Sequence, residues 1–268
     1  MLNNKTILIT GATGSFGQKF VSKILNKYKS IKKVIVFSRD EYKQLLMQEK
    51  FEKNNYKKLR FFLGDIRDVN RLKQAFEGVD IIVHAAALKQ VPAAEYNPIE
   101  FIKTNIIGAQ NIIEAAIEKN VSKVLSLSTD KAVAPINLYG ATKLCADKLF
   151  LAANNIKGGK KITFSILRYG NVMMSRGSVI PIFLKIKNNI FPVTDKKMTR
   201  FSITLDQSVE MAIKALEYSI GGEIFIPKLP STTLTDIATA INKNKPQKIV
   251  GIRPGEKIHE TMCSIDES

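Results

Sequence analysis

Ser128-Thr129-Asp130-Lys131 is followed shortly by Tyr139-Gly140-Ala141-Thr142-Lys143. Tyr139 and Lys143 are four residues apart, and on a helix that spacing puts both side chains on one face. An ammonium beside a phenol favours the phenolate and lowers its pKa. The pair can therefore take a proton from a sugar or alcohol hydroxyl. Asp130 and Lys131 add an acid and a base at a strand end just before that helix. A tyrosine base alone points to a dehydrogenase; the added pair points to a reaction that does more than move hydride.

The surrounding chain alternates strand and helix. Residues 5–10 (KTILIT) form a continuous apolar, β-branched run, the pattern of a strand buried on both faces. Runs at 33–37, 59–63, 79–84, 124–127 and 162–168 repeat it, with helical stretches to about 29 and at 39–53, 98–119 and 139–154. This alternation predicts an α/β fold, a Rossmann-like doubly wound parallel sheet with helices on both faces. Residues 1–170 would bind a cofactor and carry the catalytic groups. Beyond Tyr169 the pattern loosens. Helices at 180–187, 207–218 and 234–241, with short strands near 192–194 and 200–203, predict a small substrate-binding lobe over 171–268. That lobe is interleaved with the sheet and not independent.

Gly11-x-x-Gly14-x-x-Gly17 falls between the first strand and the first helix, with Thr13, Ser15 and Phe16 in the same turn. Glycines let a pyrophosphate approach the backbone, and the helix N-terminus favours its charge. An NAD site usually places an acidic residue at the end of the second strand, where it bonds the ribose hydroxyls. Here that position reads Ser38-Arg39-Asp40-Glu41-Tyr42-Lys43. Ser38, Arg39 and Lys43 suit a 2′-phosphate, which favours NADP, while Asp40 points the other way. Asp65 and Ile66 after the third strand offer contacts to the adenine edge. Ala85 and Ala86 after the fourth let the backbone come close, and Lys89 reaches cofactor or substrate.

The 268 residues are 45% hydrophobic and carry a formal charge of +17. The charge resides mostly in scattered lysines such as Lys157, Lys160, Lys161, Lys185, Lys187, Lys196 and Lys197. No nucleic-acid module accompanies them, so they read as a solvated surface and not as a nucleic-acid site. No apolar run approaches the roughly 20 residues that span a bilayer, and the N-terminus shows no signal-peptide pattern. Cys145 and Cys263, His84 and His259 lack metal-ligand spacing, so no metal is expected. A reducing cytoplasm fits.

Together, GxxGxxG, Gly64-Asp65-Ile66, His84-Ala85-Ala86-Ala87 and Tyr139-x-x-x-Lys143 resemble an extended short-chain dehydrogenase/reductase. More narrowly, Ser38-Arg39-Asp40-Glu41, Ala87-Leu88-Lys89-Gln90-Val91-Pro92, Glu95-Tyr96-Asn97-Pro98, Thr129-Asp130-Lys131, Arg168-Tyr169-Gly170-Asn171-Val172, Ser175-Arg176-Gly177-Ser178-Val179, Met198-Thr199-Arg200-Phe201 and Arg253-Pro254-Gly255-Glu256-Lys257 resemble the inverting UDP-N-acetylglucosamine 4,6-dehydratases of pseudaminic acid synthesis. Retaining relatives usually read Thr-Asp-Glu where this chain has Thr129-Asp130-Lys131. The resemblance implies that Tyr139 takes the proton of the sugar's 4-hydroxyl, assisted by Thr129, while hydride passes to tightly bound NADP⁺. Lys143 holds the nicotinamide ribose. Lys131 removes the carbon-5 proton and Asp130 protonates the departing 6-hydroxyl. Asn171, Ser178, Val179, Thr194, Arg200, Arg253 and Glu256 match its substrate-binding strings. It also implies a homo-oligomer, up to a hexamer. Two departures stand out. Met174 replaces a small residue, often Gly, which would crowd the sugar pocket. Members also commonly run longer at the C-terminus, so a short form would lack part of the pocket or of an assembly surface. A retaining dehydratase, a 4-epimerase, an enzyme of the N-acetylfucosamine branch and, remotely, a catalytically silent NADP- or nucleic-acid-binding protein are the alternatives.

Overall fold

The structure is a computed structural model that describes residues 2–52, 57–175, 178–186 and 190–267. Lys53, Arg176, Gly177 and Lys187, which entered the expectations above, lie outside the described residues. Strands β1 Thr6–Thr10, β2 Lys33–Ser38, β3 Leu59–Leu63, β4 Ile81–His84, β5 Lys123–Thr129 and β6 Thr163–Tyr169 form one parallel sheet in the order 3-2-1-4-5-6. Its order reverses between β1 and β4, which pair in register from Ile7↔Ile81 to Thr10↔His84. In an open parallel sheet, ligands bind at such a switch, beyond the carboxyl ends of the strands. The Rossmann-like expectation is met.

Side chains alternate along each strand. Ile7 and Ile9 of β1 therefore join one core layer with Phe20, Val21 and Ile24 of helix α1 (Ser15–Lys27). Leu8 joins the opposite layer, which also holds Phe37, Ile112 and Phe150. Helices α2 Glu41–Glu52, α3 Val69–Ala75 and α4 Val91–Tyr96 follow β2, β3 and β4 respectively. The last two were not expected. They are short, and their signals are a single cap each: Asp68 accepts from Arg71 N at the start of α3, and Pro92 opens α4. The long helix expected over 98–119 is present as α5 Pro98–Phe101, a π-helical segment Ile102–Ile107 and α6 Gly108–Glu118.

Helix α7 Leu138–Ile156 follows β5. Beyond β6 come β7 Asn171–Val172, α8 Val179–Lys185, β8 Phe191–Val193, β9 Thr199–Ile203, α9 Leu205–Tyr218, β10 Ile224–Phe225, β11 Ser231–Thr233, α10 Leu234–Ile241 and β12 Gln247–Ile249. This half is threaded through the first. β10 extends the main sheet beside β6, and Val209, Ala212, Ile213 and Leu216 of α9 lie in the same core layer as α1. A separate small core, Phe183, Phe191, Val193, Met198, Leu234 and Ala238, holds the rest over the carboxyl ends of the strands.

Candidate active site

Both halves wall a single cleft of about 930 Å3 at the sheet switch point. On the floor, Gly11 adopts φ +64°, and a Cβ there would lie 2.9 Å from Ala86. The turn therefore needs a glycine on two counts, backbone sign and close approach. Thr13, Gly14, Ser15, Phe16 and Gly17 continue the wall, and so do Ser38, Arg39, Asp40, Lys43, Asp65, Ile66, Ala85, Ala86 and Lys89. Asp40 is committed to Lys43, whose ammonium and backbone N–H both donate to it, and that pairing lowers its pKa. Arg39 stays more than half exposed, with Asp65 at 3.8 Å. Lys89, exposed at the rim, has its pKa lowered by partial desolvation.

The reacting groups are delivered by β5 and α7. Thr129 ends the strand, its side chain accepts from Lys131 N, and residues 130–132 make one tight helical turn. Asn137 caps α7 by accepting from Gly140 N at 2.8 Å, which fixes the orientation of the first turn. Tyr139 is buried against Ala94 and Phe101. Burial raises its phenol pKa, and a hydrogen bond with Thr129 works against that rise. Lys143 lies one turn on and donates to Leu127 O at 2.8 Å. Burial lowers the Lys143 pKa and raises that of Asp147, its neighbour one further turn along. Ser128 donates to Asp147 at 2.6 Å, and fully buried Arg168 spans Asp147 and Glu267. The sequence reading expected Lys143 to lower the Tyr139 pKa. In this structure burial dominates instead, and Lys143 is turned to a strand carbonyl.

Asp130 also departs from expectation. Thr129, Lys131, Tyr139 and Lys143 line the cleft, but Asp130 is 0% exposed and forms no part of the wall. Its Oδ1 accepts from Thr129 Oγ1 and from Lys131 Nζ, each at 3.0 Å. Its Oδ2 is buried without a hydrogen-bond partner, so among the described residues Asp130 is linked to the cleft wall through Thr129 and Lys131.

On the opposite wall, Asn171, Ser178, Val179, Thr194, Arg200, Arg253 and Glu256 all face the cleft. Arg200 is braced by the carbonyls of Thr199 and Ile258. Arg253 is mostly exposed beside Glu256 at 3.9 Å. Ser178 Oγ and Glu256 Oε2 are buried without a hydrogen-bond partner, as expected of polar atoms that await a polar ligand. Met174 does not crowd the sugar. It is 61% exposed and absent from the wall, with φ +59°. A left-handed backbone of this kind is one that glycine adopts freely.

Sequence reasoning missed three wall or support residues. Tyr169 lines the cleft next to Tyr139. Asn105, in the π-helical segment, accepts from Leu88 N and donates to Leu88 O and Thr142 Oγ1, which ties the loop after β4 to α7. Glu260 lines the cleft beside Lys131. Asp147, which bonds Ser128 and Arg168, was missed as well, although its place four residues after Lys143 puts it on the same helix face.

The sequence pattern of the polysaccharide biosynthesis protein family matches residues 7–268. An inverting UDP-N-acetylglucosamine 4,6-dehydratase of Campylobacter jejuni (serotype O:23/36, strain 81-176) is 54% identical to this chain, covering 100% of it and 80% of that protein. A UDP-glucose 4-epimerase of Rickettsia bellii (strain RML369-C) is 45% identical, with the same coverage of 100% and 80%. The solved structure of Pen from Bacillus thuringiensis matches with a TM-score of 0.94 at 42% identity, covering 100% of this chain and 84% of that one. DesIV, a dTDP-glucose 4,6-dehydratase from Streptomyces venezuelae with NAD and TYD bound, shares the fold. Its TM-score is 0.84 at 23% identity, over 96% of this chain and 88% of that one. Because the match begins in β1 and runs to residue 268, taking in the glycine turn and residues 129–143 alike, the chain belongs as a whole to the polysaccharide biosynthesis protein family.

Proposed function

We propose that this chain is a UDP-N-acetylglucosamine 4,6-dehydratase that inverts carbon 5. Its product is UDP-2-acetamido-2,6-dideoxy-β-L-arabino-hexos-4-ulose, made for pseudaminic acid or a related surface glycan. The observation that carries this reading is Lys131, directly after Thr129-Asp130, facing the same cleft as Tyr139. The 54% identity to an enzyme of that name supports it.

The glycine turn, closed to any Cβ at Gly11, and the cations Arg39 and Lys89 on the wall fit a nicotinamide dinucleotide. Held there, such a group would supply reversible hydride chemistry, as acceptor from carbon 4 and donor to carbon 6. Tyr139 takes the 4-hydroxyl proton, with Thr129 bonding the same oxygen. The resulting ketone acidifies the carbon-5 proton, and Lys131 removes it; after the 6-hydroxyl has left and hydride has reached carbon 6, a solvent-derived proton returns to carbon 5 from the opposite face and inverts it. Asp130 supplies the proton for the departing 6-hydroxyl, passed through Thr129 Oγ1, 3.0 Å from its carboxylate. Arg200 and Arg253 meet the diphosphate, and Glu256 a ribose hydroxyl. The substrate is an intracellular sugar nucleotide, which places the enzyme in the cytoplasm, and the family resemblance supports a homo-oligomer, up to a hexamer. No helix among the described residues is long and apolar enough to cross a membrane.

NADP is the favoured cofactor, because Asp40 is engaged by Lys43 while Arg39 remains open to a 2′-phosphate. A charge-assisted bond of about 1.5–3 kcal/mol corresponds to about 10–100-fold in affinity. Arg39→Ala should weaken NADP by that factor and leave NAD nearly unchanged, read by fluorescence titration of the two cofactors. Equal weakening of both would exclude a role in choosing between them.

Incubation with UDP-N-acetylglucosamine in heavy water tests the whole reading. Mass spectrometry should show loss of one water with one deuterium at carbon 5, and NMR an inverted centre. An epimerase, the activity named for the Rickettsia relative, would lose no water and leave carbon 5 protonated. Retained configuration would assign the chain to the other stereochemical branch.

A further inference from the structure

Lys131 Nζ has three oxygen neighbours: Asp130 Oδ1 at 3.0 Å, Asn171 Oδ1 at 3.3 Å and Glu260 Oε1 at 3.5 Å. Asp130 lies behind the cleft wall, whereas Asn171 and Glu260 are part of it. Glu260 is only 8% exposed, and its Oε2 has no hydrogen-bond partner. A buried carboxylate is costly without a nearby cation. The cations near it are Lys131 and Lys257, the latter 3.8 Å from Oε2. Lys257 also donates to Val133 O at 2.7 Å, and Ile258 O accepts from Thr199 N at 3.0 Å. The segment that carries Glu260 is thus fastened both to the turn bearing Lys131 and to β9.

We infer that Glu260 is a positioning residue for Lys131, holding its amino group toward the cleft against the pull of buried Asp130. The inference rests on the dehydratase reading and assigns the carbon-5 step a partner from the far end of the sequence. Among the described residues, neither Tyr139 nor Lys143 makes a hydrogen bond or ion pair with Glu260, so oxidation at carbon 4 should not need it. Among the described residues, the ionisable groups facing Lys131 are Asp130 and Glu260, with Lys257 near Glu260 and Tyr139 near Asp130.

The test compares the full-length chain with Glu260→Ala and the isosteric Glu260→Gln, each given UDP-N-acetylglucosamine in heavy water. Two rates are read: deuterium entry at carbon 5, and the absorbance rise of reduced nicotinamide on mixing. In Glu260→Ala deuterium entry should slow about 10–100-fold, the cost of a misplaced reacting group, while the absorbance rise stays within about twofold. Glu260→Gln should recover part of the exchange. Unchanged exchange, or an equal fall in both rates, would overturn the inference. Wild-type protein that shows no carbon-5 exchange at all would overturn the dehydratase reading, and this inference with it.

Discussion

Tyr139→Phe is expected to slow turnover by about 10²–10⁴-fold, the usual contribution of a positioned acid–base group, while leaving the protein folded. The ring stays packed against Ala94 and Phe101, and among the described residues the hydroxyl gives up its hydrogen bond with Thr129, a change of about 1 kcal/mol. The loss should appear in the first half-reaction, as a missing absorbance rise on mixing with UDP-N-acetylglucosamine. The pH dependence has a definite sign. Burial lifts the Tyr139 pKa above its ordinary value of 10.0, so at neutral pH the phenol is protonated and the active phenolate is scarce. Wild-type rate should therefore climb with pH up to the limit of folded stability, and Tyr139→Phe should lack that climb. Full activity in Tyr139→Phe would remove the tyrosine from the mechanism and leave Lys131 as the proton acceptor for both steps.

The groups that can be read from the sequence are those whose geometry is local. Tyr139 and Lys143 share a helix face because they are four residues apart, and continuous β-branched runs mark strands buried on both faces. The glycine turn sits where it must, between β1 and α1. What was not legible depends on contacts made across the chain. Glu260 reaches Lys131 from more than a hundred residues away with no local pattern to announce it. Asp130 reads as a cleft acid from its position beside Lys131, but a one-turn helix aims adjacent side chains in different directions, and it ends up behind the wall. The π-helical segment that directs Asn105 to the loop after β4 has no periodicity that separates it from an ordinary helix. Met174 shows the opposite failure. A glycine-to-methionine difference suggests a pocket change, but the position is governed by its backbone angle.

Gly140→Ala, just behind the cleft, is expected to cost much activity for a one-methyl change. In an unconstrained helix the change would stabilise by about 1 kcal/mol, because alanine is the better helix former. Here the added Cβ would fall 2.2 Å from Lys131 O and 3.0 Å from Pro135 Cβ. The first obstacle is backbone and has no rotamer to yield, so α7 and the 130–132 turn must part by about 1 Å. Overpacking of that kind costs about 1–3 kcal/mol, which exceeds the propensity gain, so the melting temperature should fall. The functional cost is larger in proportion. The contact at Gly140 is what holds Tyr139 beside Thr129 and Lys131, and a displacement of about 1 Å can cost 10²-fold in rate. The expected result is a folded protein with kcat down about 10²-fold, read by steady-state turnover alongside thermal melting. Gly159→Ala is the matched control, with nothing within 4 Å of the added methyl, and should keep full activity. If Gly140→Ala turned over at the wild-type rate, close apposition of α7 to the 130–132 turn would not be what aligns the tyrosine and lysine chemistry.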